Sequence, residues 1–161
     1  MLKILNADIT TLEVDAIVNA ANTGLRAGGG VCGAIFRAAG RQELQAACNS
    51  LAPIQTGEAV ITPGFNLPAK FVIHTAGPIW NGGNFGEENL LRSCYENSLK
   101  LAAENNLKSI AFPLISSGIY GYPPADALKV AVQAIKDFQG DLEVILTVRD
   151  KSLLDMAAAI V

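Results

Sequence analysis

The sequence predicts an α/β fold, a three-layer α/β/α sandwich around a central, mainly parallel mixed sheet. Three observations carry that prediction. Short apolar runs alternate with segments of helical period along the whole chain. Several of the runs, such as Ala16-Ile17-Val18 and Val144-Ile145-Leu146, are apolar without interruption, as strands covered on both faces are. The 161 residues, half of them apolar and 17% charged, suit one domain with one well-buried core, so residues 1–161 are expected to form a single unit.

The elements follow in order. Strands are expected at Leu2–Leu5, Ala16–Ala20, Glu58–Pro63, Phe71–Ala76, Ser109–Pro113 and Glu143–Val148. One or two helices are expected over Gly33–Ala39 and Gln42–Asn49, broken near Gly40. Glu87–Glu104 sets Leu91, Cys94, Tyr95, Ser98 and Ala102 on one face, and Pro124–Phe138 does the same with Leu128, Ala131, Val132, Ile135 and Phe138. The pair Pro123-Pro124 suits a first helical turn. A last helix is expected from Ser152, a good N-cap, to Ala159. In sheets of this kind, ligands bind outside the carboxyl ends of the strands, which directs attention to the loops that follow them.

Composition narrows the chemistry. The net charge is −3 and the cations are scattered singly, which argues against a phosphate-tracking nucleic-acid surface. Three widely spaced cysteines and one histidine make a zinc site or a disulfide framework improbable, so neither a metal nor a cofactor is expected. The first residues lack a signal-peptide core, and no apolar run is long enough to span a bilayer. The expectation is a soluble, cytoplasmic protein that does not bind membranes. A small anionic ligand fits, because backbone N–H groups hold phosphate without Lys or Arg.

Four loops carry candidate chemistry. Gly28-Gly29-Gly30-Val31-Cys32-Gly33 opens a helix, and its glycines bring bare backbone close to an anion. It is neither a Walker A loop nor the spaced dinucleotide fingerprint. Ser116-Ser117-Gly118-Ile119-Tyr120-Gly121-Tyr122-Pro123 also leads into a helix at the same sheet edge. Two such loops suggest a diphosphate gripped from both sides. Asn19-Ala20-Ala21-Asn22 brings amides suited to ribose hydroxyls, although turn chemistry explains asparagine as well. Asp8-Ile9-Thr10 follows the first strand, where a carboxylate could accept from the exocyclic amine of adenine or simply cap a turn.

Taken together, these segments resemble the macro-domain family. The resemblance rests on Ala7-Asp8-Ile9-Thr10, Val14 to Asn22, Gly28 to Val31, Val72-Ile73-His74-Thr75-Ala76-Gly77-Pro78 and Pro113 to Pro123, in order and along nearly the whole chain. It looks nearest to the branch of MacroD-type hydrolases and their bacterial relatives. The resemblance implies ADP-ribose as ligand, with Asp8 on the adenine amine and Ile9 beside the base. It implies Asn22 on the distal ribose with Asn19 nearby. Gly28, Gly29, Gly30 and Val31 would lie on one side of the diphosphate, and Ser116, Ser117, Gly118, Ile119 and Tyr120 on the other. It also implies an adenine-packing role for Val148, at a place where an aromatic is frequent, and a structural role for His74.

Cys32 departs from the pattern, because MacroD-type hydrolases carry Asp there. It is a candidate ligand contact and a candidate catalytic residue beside Asn22 and Asn19, and its plainer reading is a small, soft residue lining the pocket. Phe36, where His is common, is expected to be packing. Two functions therefore compete. One is a hydrolase that removes mono-ADP-ribose from proteins or deacylates O-acetyl-ADP-ribose. The other is a non-catalytic reader of ADP-ribose marks, which Cys32 favours. A nucleic-acid module ranks last.

Overall fold

The computed structural model describes residues 1–161. Six strands form one sheet: β1 (Leu2–Asn6), β2 (Ala16–Ala21), β3 (Ala59–Pro63), β4 (Phe71–Ala76), β5 (Ser109–Phe112) and β6 (Glu143–Val148). Their order across the sheet is β1-β6-β5-β2-β4-β3. All neighbours are parallel except the edge pair β3 and β4, so the sheet is mixed and mainly parallel, as expected. The carboxyl ends of the five parallel strands consequently share one edge.

The helices are α1 (Gly30–Ala39), α2 (Arg41–Asn49), α3 (Glu87–Glu104), α4 (Pro124–Asp137) and α5 (Lys151–Ile160). They divide the core in two. On one face α3, α4 and α5 cover a cluster of 24 buried residues that includes Ala16, Val18, Phe112 and Leu146. On the other, α1 and α2 cover a cluster of 16, which takes the alternate positions Ile17 and Ala21 of β2. That alternation is the strand period of two acting on a strand buried on both sides.

Most boundaries shift by a residue; two helix starts and one additional turn depart from expectation for identifiable reasons. Helix α1 begins at Gly30, inside the glycine run; a first helical turn has no intrahelical donors to lose, so glycine is tolerated there. Helix α5 is capped by Asp150, whose carboxylate accepts from the Leu153 N–H at 2.9 Å, and Ser152 lies within the first turn. A 3-10 turn at Ile9–Thr11 was not foreseen. Its cap is Asp8, whose Oδ1 accepts from the Thr10 N–H at 3.0 Å and the Thr10 hydroxyl at 2.7 Å.

Candidate functional site

The loops after β2 and β5 rise from adjacent strands and face each other across a groove. A Cβ added at Gly29 would stand 3.6 Å from Ile119 Cδ1, so the two loops approach within van der Waals reach. Between them lie two rows of free donors. The N–H groups of Gly28 through Cys32 donate to no other group of the protein, and neither do those of Gly118, Ile119 and Tyr120. The first row is also the N-terminus of α1, whose dipole adds positive potential. Opposed rows of unpaired N–H groups make a site for an elongated anion that needs no lysine or arginine.

The first wall is held by side chains. Asn22 clasps Arg26, its Oδ1 accepting from the Arg26 N–H and its Nδ2 donating to the Arg26 carbonyl, both at 2.9 Å. The Cys32 thiol donates to that same carbonyl at 3.7 Å. Gln45 on α2 accepts from the Ala27 N–H and donates to the Leu25 carbonyl, each at 2.9 Å. A Cβ at Gly28 would lie 3.8 Å from Asn22 Nδ2 and 3.9 Å from Cys32 Sγ, so the three residues converge at one end of the groove. A Cβ at Gly33 would overlap the Gly28 carbonyl oxygen, which explains a glycine within a helix.

The second wall is held by its own backbone. Tyr122 N–H donates to the Ser116 carbonyl at 2.9 Å, Gly121 N–H to Gly118 at 3.0 Å, and Trp80 N–H to Tyr120 at 2.8 Å. The Ser117 hydroxyl donates to the Leu114 carbonyl at 2.9 Å. Ser116 takes a left-handed conformation with φ of 68°, a strain of about 1–2 kcal/mol for a residue with a Cβ. Its buried hydroxyl has no partner and lies against Gly77, where any Cβ would overlap it.

The structure brings together Asn22, Gly28, Gly29, Gly30, Val31 and Cys32 on one wall and Ser116, Ser117, Gly118, Ile119 and Tyr120 on the other. Asp8 lies near the end of β1, with its Oδ2 unengaged. Three of the nominated residues are buried. Asn19 is 1% exposed: its side chain faces the α1–α2 layer and its Nδ2 lies 3.0 Å from His74 Nδ1. Val148 is also 1% exposed, within the larger core cluster. Ile9 is 3% exposed. Cys32 is nearly enclosed, its thiol donating to the Arg26 carbonyl.

Beneath the first wall lies a polar chain. Asn19 Nδ2 donates to His74 Nδ1; His74 Nε2 then donates to the Thr62 hydroxyl at 3.0 Å, and that hydroxyl donates to the Pro63 carbonyl at 3.1 Å. This succession fixes one tautomer. Burial lowers the His74 pKa to about 4, so the ring is neutral, and the structural role expected of it holds.

Arg149 was missed in the sequence. It follows β6 directly, is exposed, and a Cβ at Gly118 would stand 3.0 Å from its Nη2. It is thus the cation beside the second wall, in the register position after buried Val148. β6 is covered on both faces, so no period in the sequence announces an exposed cation one step past its end. A separate cleft of about 800 Å³ runs between α3 and α4, lined by mixed charges such as Glu88, Arg92, Asp126 and Lys129. It holds none of the residues nominated above.

A doubly wound sheet with two facing phosphate-type loops at its carboxyl edge defines a ligand-binding α/β domain. The comparisons with known proteins specify which. The macro domain family model matches residues 18–131, and the chain belongs to the macro-domain family. A macro domain-containing protein of Chlorobaculum tepidum is 57% identical over 141 residues, covering 88% of this chain and 81% of its own. A Salmonella typhimurium protein named O-acetyl-ADP-ribose deacetylase is 55% identical over 141 residues, covering 85% and 78%. Among solved structures, the Oceanobacillus iheyensis macrodomain with ADP superposes at a TM-score of 0.93 with 41% identity, covering 98% of this chain and 88% of that one. The Trypanosoma brucei macrodomain in complex with ADP-ribose gives 0.86 with 36% identity, covering 99% and 68%. No helix is long and apolar enough to cross a membrane.

Proposed function

We propose that this protein binds ADP-ribose in the groove between the two loops and hydrolyses esters of its distal ribose, O-acetyl-ADP-ribose among them. The observation that carries the reading is the pair of opposed, unpaired N–H rows, flanked by Asn22 and Tyr120. The free Oδ2 of Asp8 takes the adenine amine, and the Ile9 backbone lies beside the base. Gly28 to Val31 and Ser116 to Tyr120 wrap the diphosphate from its two sides, leaving the distal ribose at Asn22. One Nδ2 hydrogen and one Oδ1 lone pair of Asn22 remain after its clasp on Arg26, enough to donate to and accept from a ribose hydroxyl.

In the reaction, water adds to the acetyl carbonyl carbon, the bond from that carbon to the ribose oxygen breaks, and that oxygen leaves with a proton. The products are acetate and ADP-ribose. The groove supplies orientation and a field of N–H dipoles for the developing oxyanion. With a thiol rather than a carboxylate at residue 32, the water is held by the ligand's own phosphate and by Asn22. Mono-ADP-ribosylated proteins joined through a carboxylate ester present the same bond type. The three free cysteines accord with a reducing compartment such as the cytoplasm.

Release of acetate and ADP-ribose, measured for wild type and Asn22→Ala alongside calorimetric binding of ADP-ribose, tests the proposal. Turnover by wild type with at least a tenfold loss in Asn22→Ala is expected. Binding without turnover would make the protein a reader, and gain of activity in Cys32→Asp would then locate the reason at that side chain.

A further inference from the structure

We propose that the cleft of about 800 Å³ between α3 and α4 is a second binding site, for a small ligand with a guanidinium at one end and a carboxylate at the other. It is independent of the groove reading, because none of the nominated groove residues lines it. The first observation is an unused hydroxyl. Tyr122 lines the cleft and is 3% exposed, yet its hydroxyl makes no hydrogen bond with the protein and is not sealed from water. A buried tyrosine hydroxyl ordinarily finds a partner. Tyr95 does: its hydroxyl donates to the Pro113 carbonyl at 3.2 Å and accepts from the Ile115 N–H at 3.1 Å. Burial, and then the charges of Glu88, Asp126 and Glu87, push the Tyr122 pKa up from its ordinary value. The phenol is therefore protonated, with a lone pair and a proton both free, and carboxylates stand near it.

The second observation is which charges at the cleft are already engaged. The buried carboxylate of Glu87 clasps the loop after Trp80, accepting from the N–H groups of Asn81 at 2.9 Å, Gly83 at 3.0 Å and Phe85 at 2.7 Å. Burial works to raise the Glu87 pKa, but these donors and its own N–H outweigh it and hold it at about 2. Arg92 is taken by Asp137 at 2.7 Å and Glu96 at 3.5 Å, and Lys136 donates to the Ile160 carbonyl at 3.3 Å. Glu88, Asp126 and Lys129 form no ion pair. Acidic residues in a first helical turn complement the helix dipole, which accounts for Glu88 and Asp126 but not for the idle hydroxyl beside them. Asp126, Lys129 and Gln133 lie at i, i+3 and i+7 on one face of α4, so the cleft runs from an acidic end to a basic one. The acidic end is also aromatic: Trp80 packs on Tyr122 with centroids 4.6 Å apart. A guanidinium fits that end better than an ammonium, because its planar fork donates to carboxylates and the phenol oxygen together while its face stacks on the indole. Lys129 then takes a carboxylate further along α4.

Trp80 is the chain's single tryptophan, so its fluorescence reports on this cleft. Titration of the wild type with N-acetylarginine is expected to give a saturable change with a Kd of about 1 mM, in keeping with a ligand of that size. N-acetylcitrulline, its neutral isostere, is expected to bind roughly tenfold more weakly, since its hydrogen bonds are no longer charge-assisted. N-acetylargininamide, without the carboxylate, is expected to bind about threefold more weakly. Tyr122→Phe and Asp126→Asn should each raise the Kd of N-acetylarginine roughly three- to tenfold. The urea midpoint of Tyr122→Phe should equal that of the wild type, because its hydroxyl has no partner to lose. Saturating ADP-ribose should leave the titration unchanged. No saturable change, equal binding of N-acetylcitrulline, displacement by ADP-ribose, wild-type affinity in both variants or a lowered midpoint in Tyr122→Phe would each overturn the site. An amide that bound as tightly as the acid would overturn the Lys129 end and make an arginine side chain within a polypeptide the occupant.

Discussion

Between Asn22 and Cys32 the groove's wall is held mainly by side chains and the N–H groups from Gly28 onward are left bare, whereas between Pro113 and Tyr122 the backbone holds itself through left-handed Ser116 and three cross-loop hydrogen bonds. Both walls present free N–H groups to the same space. The first achieves this by spending the amides of Asn22 and Gln45 on the chain on either side of the glycines. The second achieves it by turning so tightly that Gly118, Ile119 and Tyr120 have no carbonyl to reach. A side-chain scaffold is sensitive to substitution below the wall; a backbone scaffold is sensitive to anything that crowds the turn.

The largest expected effect comes from crowding the first wall. In Gly33→Ala the new Cβ meets the Gly28 carbonyl, a backbone atom with no rotamer to escape into. The cost is about 3 kcal/mol, the upper end for overpacking. Because the displaced segment is the donor row itself, ADP-ribose affinity is expected to fall roughly a hundredfold. Urea unfolding and calorimetry read the two effects; a fall in stability with binding intact would show that the donor row is not the ligand's anchor.

Next comes the footing of that wall, through pH. His74 is neutral in the folded chain, with its pKa lowered from 6.5 to about 4 by burial. In the unfolded chain it takes a proton as the pH falls below 6.5, and the folded state does not. Stability is therefore full above pH 6.5 and declines as the pH drops towards 4, by roughly 3 kcal/mol over the whole interval. Neighbouring Cys48, its thiol pushed up to about 11 by burial and by nearby Cys32, stays neutral throughout, and Glu87 titrates only at lower pH. His74→Gln keeps a side chain that can donate and accept, and should remove the slope between pH 7 and 5. A variant that retained the slope would place it elsewhere.

These two regions also show what could be read from the chain alone. All six strands and the five helices were legible, because apolar runs and helical faces state their period directly. The two donor loops were legible because only glycine and small residues permit such backbone. Asn19 and Asn22 were not separable: telling a buried amide from an available one needs the register that sets Asn19 opposite His74. Arg149 stands one residue past a strand covered on both faces, where no period marks a side chain that reaches the loop after β5. The Glu87 clasp had no sequence signal, since its three donors are backbone N–H groups.

In the second wall, Gly77→Ala should cost about 2 kcal/mol, because its Cβ would overlap the Ser116 hydroxyl and come 2.7 Å from Ile115 Cγ2. Adding Ser116→Gly removes the first obstacle and the left-handed strain together, so the double variant should recover about half the loss by chemical denaturation. No recovery would mean that the turn is held by Ile115 and not by the fit of Ser116 against Gly77.

The smallest effect tests the side-chain scaffold from outside the groove. Gln45 touches no proposed ligand atom, yet it fixes Ala27 and Leu25 on the approach to the glycines. Gln45→Ala removes those bonds at a part-buried site where water can replace them, at a net cost of about 1 kcal/mol. The first wall has only the Leu25 N–H to Asn22 and Gly33 N–H to Gly29 backbone bonds to fall back on, so the slackened segment should weaken ADP-ribose binding three- to tenfold, in step with that loss. If binding were unchanged while stability fell, the donor row would be set by the N-terminus of α1 alone, and the contrast between a wall held by side chains and a wall held by backbone would reduce to Asn22.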